Sequence, residues 1–177
     1  MEKRHILIVG ERRVGKSTLI EKLLEYNTKP VYGFFTRSDE PDPEGYHAIY
    51  IYPAGSKERP KSEENHIGTC NGRQRQVNPE VFETLGVEYL QNRPDGIIAM
   101  DEVGFMESEA PQFCAELLGC LDGDTRVIAT VKARKGIEFL EQVRSHPKAE
   151  VFEITAENRD ALFDELLPYI LRWNKEG

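Results

Sequence analysis

Three cysteines, Cys70, Cys114 and Cys120, are all the thiol chemistry this 177-residue chain has. Their number is odd and no C-x-x-C pair occurs, so neither a disulfide framework nor a zinc site is expected. The thiols read as buried or idle in a reducing compartment. Long apolar runs are missing too. No stretch approaches the roughly 18 residues of a membrane span. In the opening MEKRHILIVG the apolar part, Ile6 to Val9, is far too short for the core of a signal peptide. A soluble cytoplasmic protein is the expectation. Positive charge is in deficit: 23 basic against 31 acidic residues leave a net charge of −8. That balance argues against nucleic acid or an anionic membrane as a general partner, since both call for an excess of basic residues. Repeats and low-complexity tails are absent as well. What is present is the composition of an ordinary globular protein, 39% hydrophobic and 31% charged. A chain of this length buries roughly 70% of its unfolded surface and needs no covalent staple. Residues 1–177 therefore read as one domain, with an insertion at about 31–78.

Strands and helices alternate along the chain. HILIVG is a short run of branched residues closed by Gly10, the pattern of a buried strand. Leu19, Ile20, Leu23 and Leu24 then recur at helical spacing, which predicts a helix from Lys16 to Tyr26. VYGFFTR and GYHAIYIYP are strands, and the acidic turn SDEPDPEG between them predicts a hairpin. From Ala54 to Gln76 the sequence is polar with little periodicity, apart from a short strand near Ile67. A helix is expected over about Pro79 to Gln91, with proline at its start. Then come the strand IIAM, a helix in ESEAPQFCAELLGCL, the strand RVIATV, a helix in GIEFLEQVRS and the strand AEVFEIT. A last helix covers AENRDALFDELLPYILRW, and Pro168 should kink or divide it. The alternation implies an α/β fold: a mainly parallel central sheet, helices on both faces and the hairpin as an antiparallel insertion. Ligands of such sheets sit beyond the carboxyl ends of the strands, so the chemistry is expected after Val9, Met100 and Val131.

The first of these places carries GERRVGKS, which fits G-x-x-x-x-G-K-[ST] between a strand and a helix. Glycines let such a backbone curl until successive N–H groups point at phosphate oxygens, and the new helix adds its positive end. The predicted nucleotide-binding loop is Gly10, Glu11, Arg12, Arg13, Val14, Gly15, Lys16, Ser17 and Thr18. Lys16 reaches the β- and γ-phosphates and the Ser17 hydroxyl is a Mg²⁺ ligand. Arg12 and Arg13 admit two readings, added charge at the mouth of the site or plain solvent exposure.

IIAMDEVG is a buried strand ending in two acids. Asp101 is placed to hold Mg²⁺, directly or through water, opposite Ser17. Glu102, one residue on, can orient a water and take its proton, which suits hydrolysis. Past the next strand, TVKARKG puts Thr130 where a hydroxyl reaches the γ-phosphate or the attacking water. Lys132, Arg134 and Lys135 follow, and Arg134 is the candidate for an arginine finger supplied by the same chain. The rest of the polar central stretch holds Arg59, Arg73 and Arg75, a possible kinase-like lid.

These motifs together resemble a family, the small P-loop nucleoside triphosphatases first described from thermophiles, which include a cancer-related human member. GKSTLI, GFFTR, MDEVGFME, IATVKARKG and VFEITAENRDAL match its motifs in order and spacing. The resemblance implies a three-layer, RecA-like P-loop core. It also implies slow, Mg²⁺-dependent hydrolysis of several nucleoside triphosphates, ATP and GTP among them, to the diphosphate and phosphate. Lys16 and Ser17 would then serve the phosphates and metal, Asp101 the metal and Glu102 the water. Asn158 and Arg159 lie in a matching E-N-R motif, as a site near the base or as a structural cap. Three departures stand out. Phe105 replaces a family lysine, Arg37 replaces an acid common at its position, and Arg12 and Arg13 sit where less charged residues are usual. One hypothesis is that Arg12 or Arg13 supplies the cation lost at Phe105. Two alternatives to a hydrolase remain: a small-molecule kinase using ATP, and a nucleotide-gated interaction module with negligible turnover. No acidic motif of the guanine-selecting kind is present, and no protein partner is indicated.

Overall fold

The computed structural model describes residues 2–55, 59–91, 94–104 and 106–177. Along these residues the chain forms β1 (His5–Gly10), α1 (Lys16–Leu24), β2 (Val31–Ser38), β3 (His47–Pro53), β4 (His66–Cys70) and β5 (Arg75–Val77). A helical run follows, made of α2 (Pro79–Val81), a π-helical turn (Phe82–Gly86) and α3 (Val87–Tyr89). The second half is β6 (Ile97–Val103), α4 (Pro111–Asp122), β7 (Val127–Lys132), α5 (Glu138–Arg144), β8 (Ala149–Glu153) and α6 (Arg159–Trp173).

All eight strands join one sheet in the order β5-β4-β3-β2-β6-β7-β1-β8. From β2 to β8 every pairing is parallel, and from β2 to β5 every pairing is antiparallel. Alternation along the strands divides the side chains between two cores. Ile6, Ile8, Ala99 and Ile128 face α1 and α6, which bring Ile20, Leu23, Leu166 and Trp173 to the same core. Leu7, Val9, Met100, Ala129 and Val131 face α4 and α5. The result is the three-layer α/β P-loop fold that the sequence implies.

Three local expectations need correction. The polar stretch after Ala54 holds two strands rather than one. β4 is legible through buried Ile67, but β5 has only three residues, two of them exposed, and no alternation to read. At Gly68 the two backbones approach so closely that a Cβ would lie 2.6 Å from the Gln76 carbonyl oxygen. The helix expected at Pro79 is wound partly as a π-turn, with Gly86 pressed against the Phe113 ring. Pro168 does not divide α6, which runs unbroken through it. Buried Leu166, Ile170 and Trp173 anchor the helix on both sides of the missing N–H.

Candidate functional site

β1 ends at Gly10 under the carbonyl of Ile154, where a Cβ would come within 2.6 Å of the oxygen. The chain then turns and enters α1 through Gly15, whose φ of 104° is left-handed. Val14 packs on the α1–α6 core, and Glu11, Arg12 and Arg13 stay exposed. Lys16 is buried. Its Nζ donates to the carbonyls of Gly10 and Glu11, both at 2.8 Å, and lies 3.3 Å from Glu102 Oε2. The loop thus curls around its own ammonium group.

The end of β6 faces this loop across β7. Between Met100 and Val103 the register against β7 shifts, which leaves Asp101 and Glu102 without a paired residue on that strand. Asp101 is 1% exposed. Its Oδ1 accepts from Ser17 Oγ at 3.1 Å and from Thr130 Oγ1 at 2.6 Å, and its Oδ2 accepts from Arg37 Nη1 at 3.2 Å. Glu102 stands between two ammonium groups, Lys16 at 3.3 Å and Lys132 at 3.8 Å. Four elements far apart in sequence therefore converge: the loop after β1, and the ends of β2, β6 and β7.

Side chains that the sequence did not single out fix this geometry. Thr36 Oγ1 donates to the Asp101 carbonyl at 3.3 Å and accepts the Glu102 N–H at 3.2 Å, which pins the peptide between the two acids. GFFTR carried that threonine, but its role depends on the β2–β6 register, Phe35 opposite Asp101. Glu107 is buried, and its Oε2 accepts the Gly104 N–H at 2.9 Å. Burial pushes its carboxyl up to about 7. The lysine replacement at Phe105 lies outside the described residues.

A cleft of about 680 Å³ opens over these groups and reaches the β4–β5 turn. Ser17, Thr18, Arg12, Arg13 and Arg134 line it, and so do Arg73 and Arg75 at the far end. Arg59 points elsewhere, to Glu64 and the Tyr89 hydroxyl. The Asn158 side chain binds the Thr155 N–H at 2.7 Å and the Glu153 carbonyl at 2.8 Å, stapling the turn into α6. Arg159 lies beside Gly15, with Cδ 3.6 Å from where a Cβ would be. Among the described residues no group of three or more His, Cys, Asp or Glu side chains is arranged to hold a metal, and no helix is long and apolar enough to cross a membrane.

A family model described as NTPase matches residues 5–167. The chain is 31% identical over 172 residues to the nucleoside-triphosphatase THEP1 of Thermotoga petrophila, covering 96% of this chain and 94% of that one. It is 29% identical over 188 residues to the cancer-related nucleoside-triphosphatase homolog of Bos taurus, covering 94% and 96%. The crystal structure of THEP1 from Aquifex aeolicus superposes with a TM-score of 0.72 at 26% identity, over 94% of this chain and 98% of that one.

Proposed function

The chain belongs to the NTPase family, and from that premise we propose that it hydrolyses nucleoside triphosphates to the diphosphate and phosphate, slowly, with Mg²⁺ and across several bases. The donor set fits that metal. A hydroxyl and a carboxylate oxygen, Ser17 Oγ and Asp101 Oδ1, lie 3.1 Å apart beside the phosphate loop. Mg²⁺ is commonly held by one or two such protein oxygens, with substrate phosphates and water completing the shell. Bound there, it supplies neutralising charge to the phosphate oxygens.

Lys16 exchanges its carbonyl partners for phosphate oxygens, and the loop N–H groups hold the rest of the phosphate chain. Glu102 accepts the proton of the attacking water. Its two lysine neighbours, Lys16 and Lys132, hold the carboxylate at the mouth of the loop, 3.3 and 3.8 Å away. Thr130 fixes Asp101 from below through the 2.6 Å hydrogen bond. Arg134, on the cleft wall, is the cation offered to the charge that develops on the transferred phosphoryl group. Arg12 and Arg13 stand exposed at the mouth, where they meet the incoming polyanion.

The observation that carries this reading is the meeting of Lys16 with Glu102 and of Ser17 with Asp101 in one cleft. The test is phosphate release from a panel of eight nucleoside triphosphates, with and without Mg²⁺ and with no added acceptor. Release is expected from several of them, and only with the metal. Glu102→Gln should retain nucleotide binding and lose turnover by about 10²-fold or more, whereas Lys16→Ala should lose binding. Normal turnover in Glu102→Gln would remove Glu102 from its role.

A further inference from the structure

Asp101 is a buried carboxylate, and a buried charge needs a partner. Ser17 and Thr130 supply hydroxyls to Oδ1, but neither carries charge. Among the described residues, the cation paired with it is Arg37, whose Nη1 lies 3.2 Å from Oδ2. Strand register sets this contact. β2 runs parallel to β6 with Phe35 opposite Asp101, and Arg37, two residues further along β2, reaches the carboxylate from there.

The guanidinium is held from several sides. It lies 4.9 Å over the Phe35 ring, donates to the Thr36 carbonyl at 2.9 Å, and reaches Glu21 Oε1 with Nη2 at 2.6 Å. Glu21 lies one helical turn beyond Ser17 on α1, and both line the cleft with Arg37. The guanidinium therefore bridges a buried acid and a half-exposed one. It also borders the space into which phosphates must come.

We propose that Arg37 is the resident counter-ion of Asp101 and makes divalent-cation binding depend on a bound triphosphate. Before nucleotide arrives, a divalent cation must compete with a charge-assisted hydrogen bond for the same carboxylate. A triphosphate in the cleft offers the guanidinium other oxygens, while Glu21 keeps hold of its second nitrogen. Asp101 is then released to the cation that accompanies the phosphates. This inference rests on the reading of Asp101 as a metal ligand.

Mn²⁺ titration followed by electron paramagnetic resonance tests it, on nucleotide-free protein and on protein saturated with adenylyl imidodiphosphate. Arg37 is half-exposed, so Arg37→Ala leaves the core intact. Without nucleotide, Arg37→Ala should bind Mn²⁺ at least about tenfold more tightly than the unsubstituted protein. With the analogue the gap should close, and Arg37→Lys, which keeps the charge, should behave like the unsubstituted protein. Equal Mn²⁺ affinity of Arg37→Ala and the unsubstituted protein without nucleotide overturns the gate. Asp101→Asn separates that failure from failure of the metal assignment. If it weakens Mn²⁺ binding in the presence of the analogue, the metal reading survives and only the gate falls. If it changes nothing there, Asp101 is no ligand and both fall.

Discussion

His5 sits at the start of β1, buried, with both ring nitrogens engaged. Nδ1 accepts the Val127 N–H at 3.2 Å, which leaves Nε2 to donate to the Leu121 carbonyl at 2.8 Å. The ring is therefore neutral, and protonating Nδ1 would set one N–H against another. Burial first, with the charges of His146, Arg126 and Lys148 adding to it, lowers its pKa to about 4, against 6.5 for a free side chain. The unfolded chain takes up this proton below 6.5 and the folded one resists until about 4, so stability is lost as pH falls through that window. The loss amounts to about 3 kcal/mol. Glu107 acts in the opposite direction. Burial raises its pKa to about 7, opposed by the Gly104 N–H and Lys132 and assisted by the charge of Glu102. The folded chain keeps a proton that the unfolded chain releases above 4.5, so stability is lost as pH rises from 4.5 to 7, again by about 3 kcal/mol. Urea unfolding at a series of pH values separates the two. His5→Asn should flatten the acid side of the profile, and Glu107→Gln should gain on the unsubstituted protein from pH 5 to pH 8. Parallel profiles for Glu107→Gln and the unsubstituted protein would mean that the buried carboxyl titrates normally.

At the scale of elements, the phosphate loop and the two acids were legible because apolar runs ended in them: Val9 before Gly10, Met100 before Asp101. Burial on both faces makes β1, β6 and β7 continuous hydrophobic strands, and a chemical group at the end of such a strand is easily read. Thr36 and Arg37 were visible as residues but not as partners of Asp101, because that depends on strand order and register, which no local pattern encodes. β5 is not legible in the sequence for a different reason: an edge strand with exposed Arg75 and Gln76 has no buried face to mark it. Yet this hairpin positions the far wall of the cleft. Gly68 allows β4 and β5 to approach, and an added Cβ would meet the Gln76 carbonyl at 2.6 Å and Met106 Sδ at 3.1 Å. Gly68→Ala should therefore push β5 outward, at a cost of about 1–3 kcal/mol in stability. It should also raise KM for nucleotide severalfold by moving Arg73 and Arg75, with Lys16 and Ser17 left in place. Stability measured by urea unfolding and KM measured by phosphate release check the two consequences separately. A stability loss with unchanged KM would show that the hairpin arginines stand clear of the nucleotide.

Charge at the scale of the whole molecule runs against the charge of the cleft. The chain carries −8, yet among the described residues eight cationic and four acidic side chains line the cleft. An acidic exterior repels polyanions in general, while a walled basic cleft concentrates field lines on a small anion that can enter it. A nucleoside triphosphate satisfies that condition, being small enough for a space of about 680 Å³. Salt must then act mainly on capture. The Debye length is about 10 Å at 0.1 M salt and about 3 Å at 1 M, so added salt weakens attraction from the rim before it weakens contacts at the loop. Between 50 and 500 mM KCl, kcat/KM should fall by about tenfold through KM, with kcat nearly constant, because Lys16 is buried within its loop and held by short-range contacts. Removing a rim cation by Arg73→Ala should flatten that dependence, and neutralising an acid on the outer surface, such as Glu165→Gln, should leave its slope unchanged. If kcat fell with salt and KM did not, the cations would be acting on the reacting phosphoryl group, not on its approach.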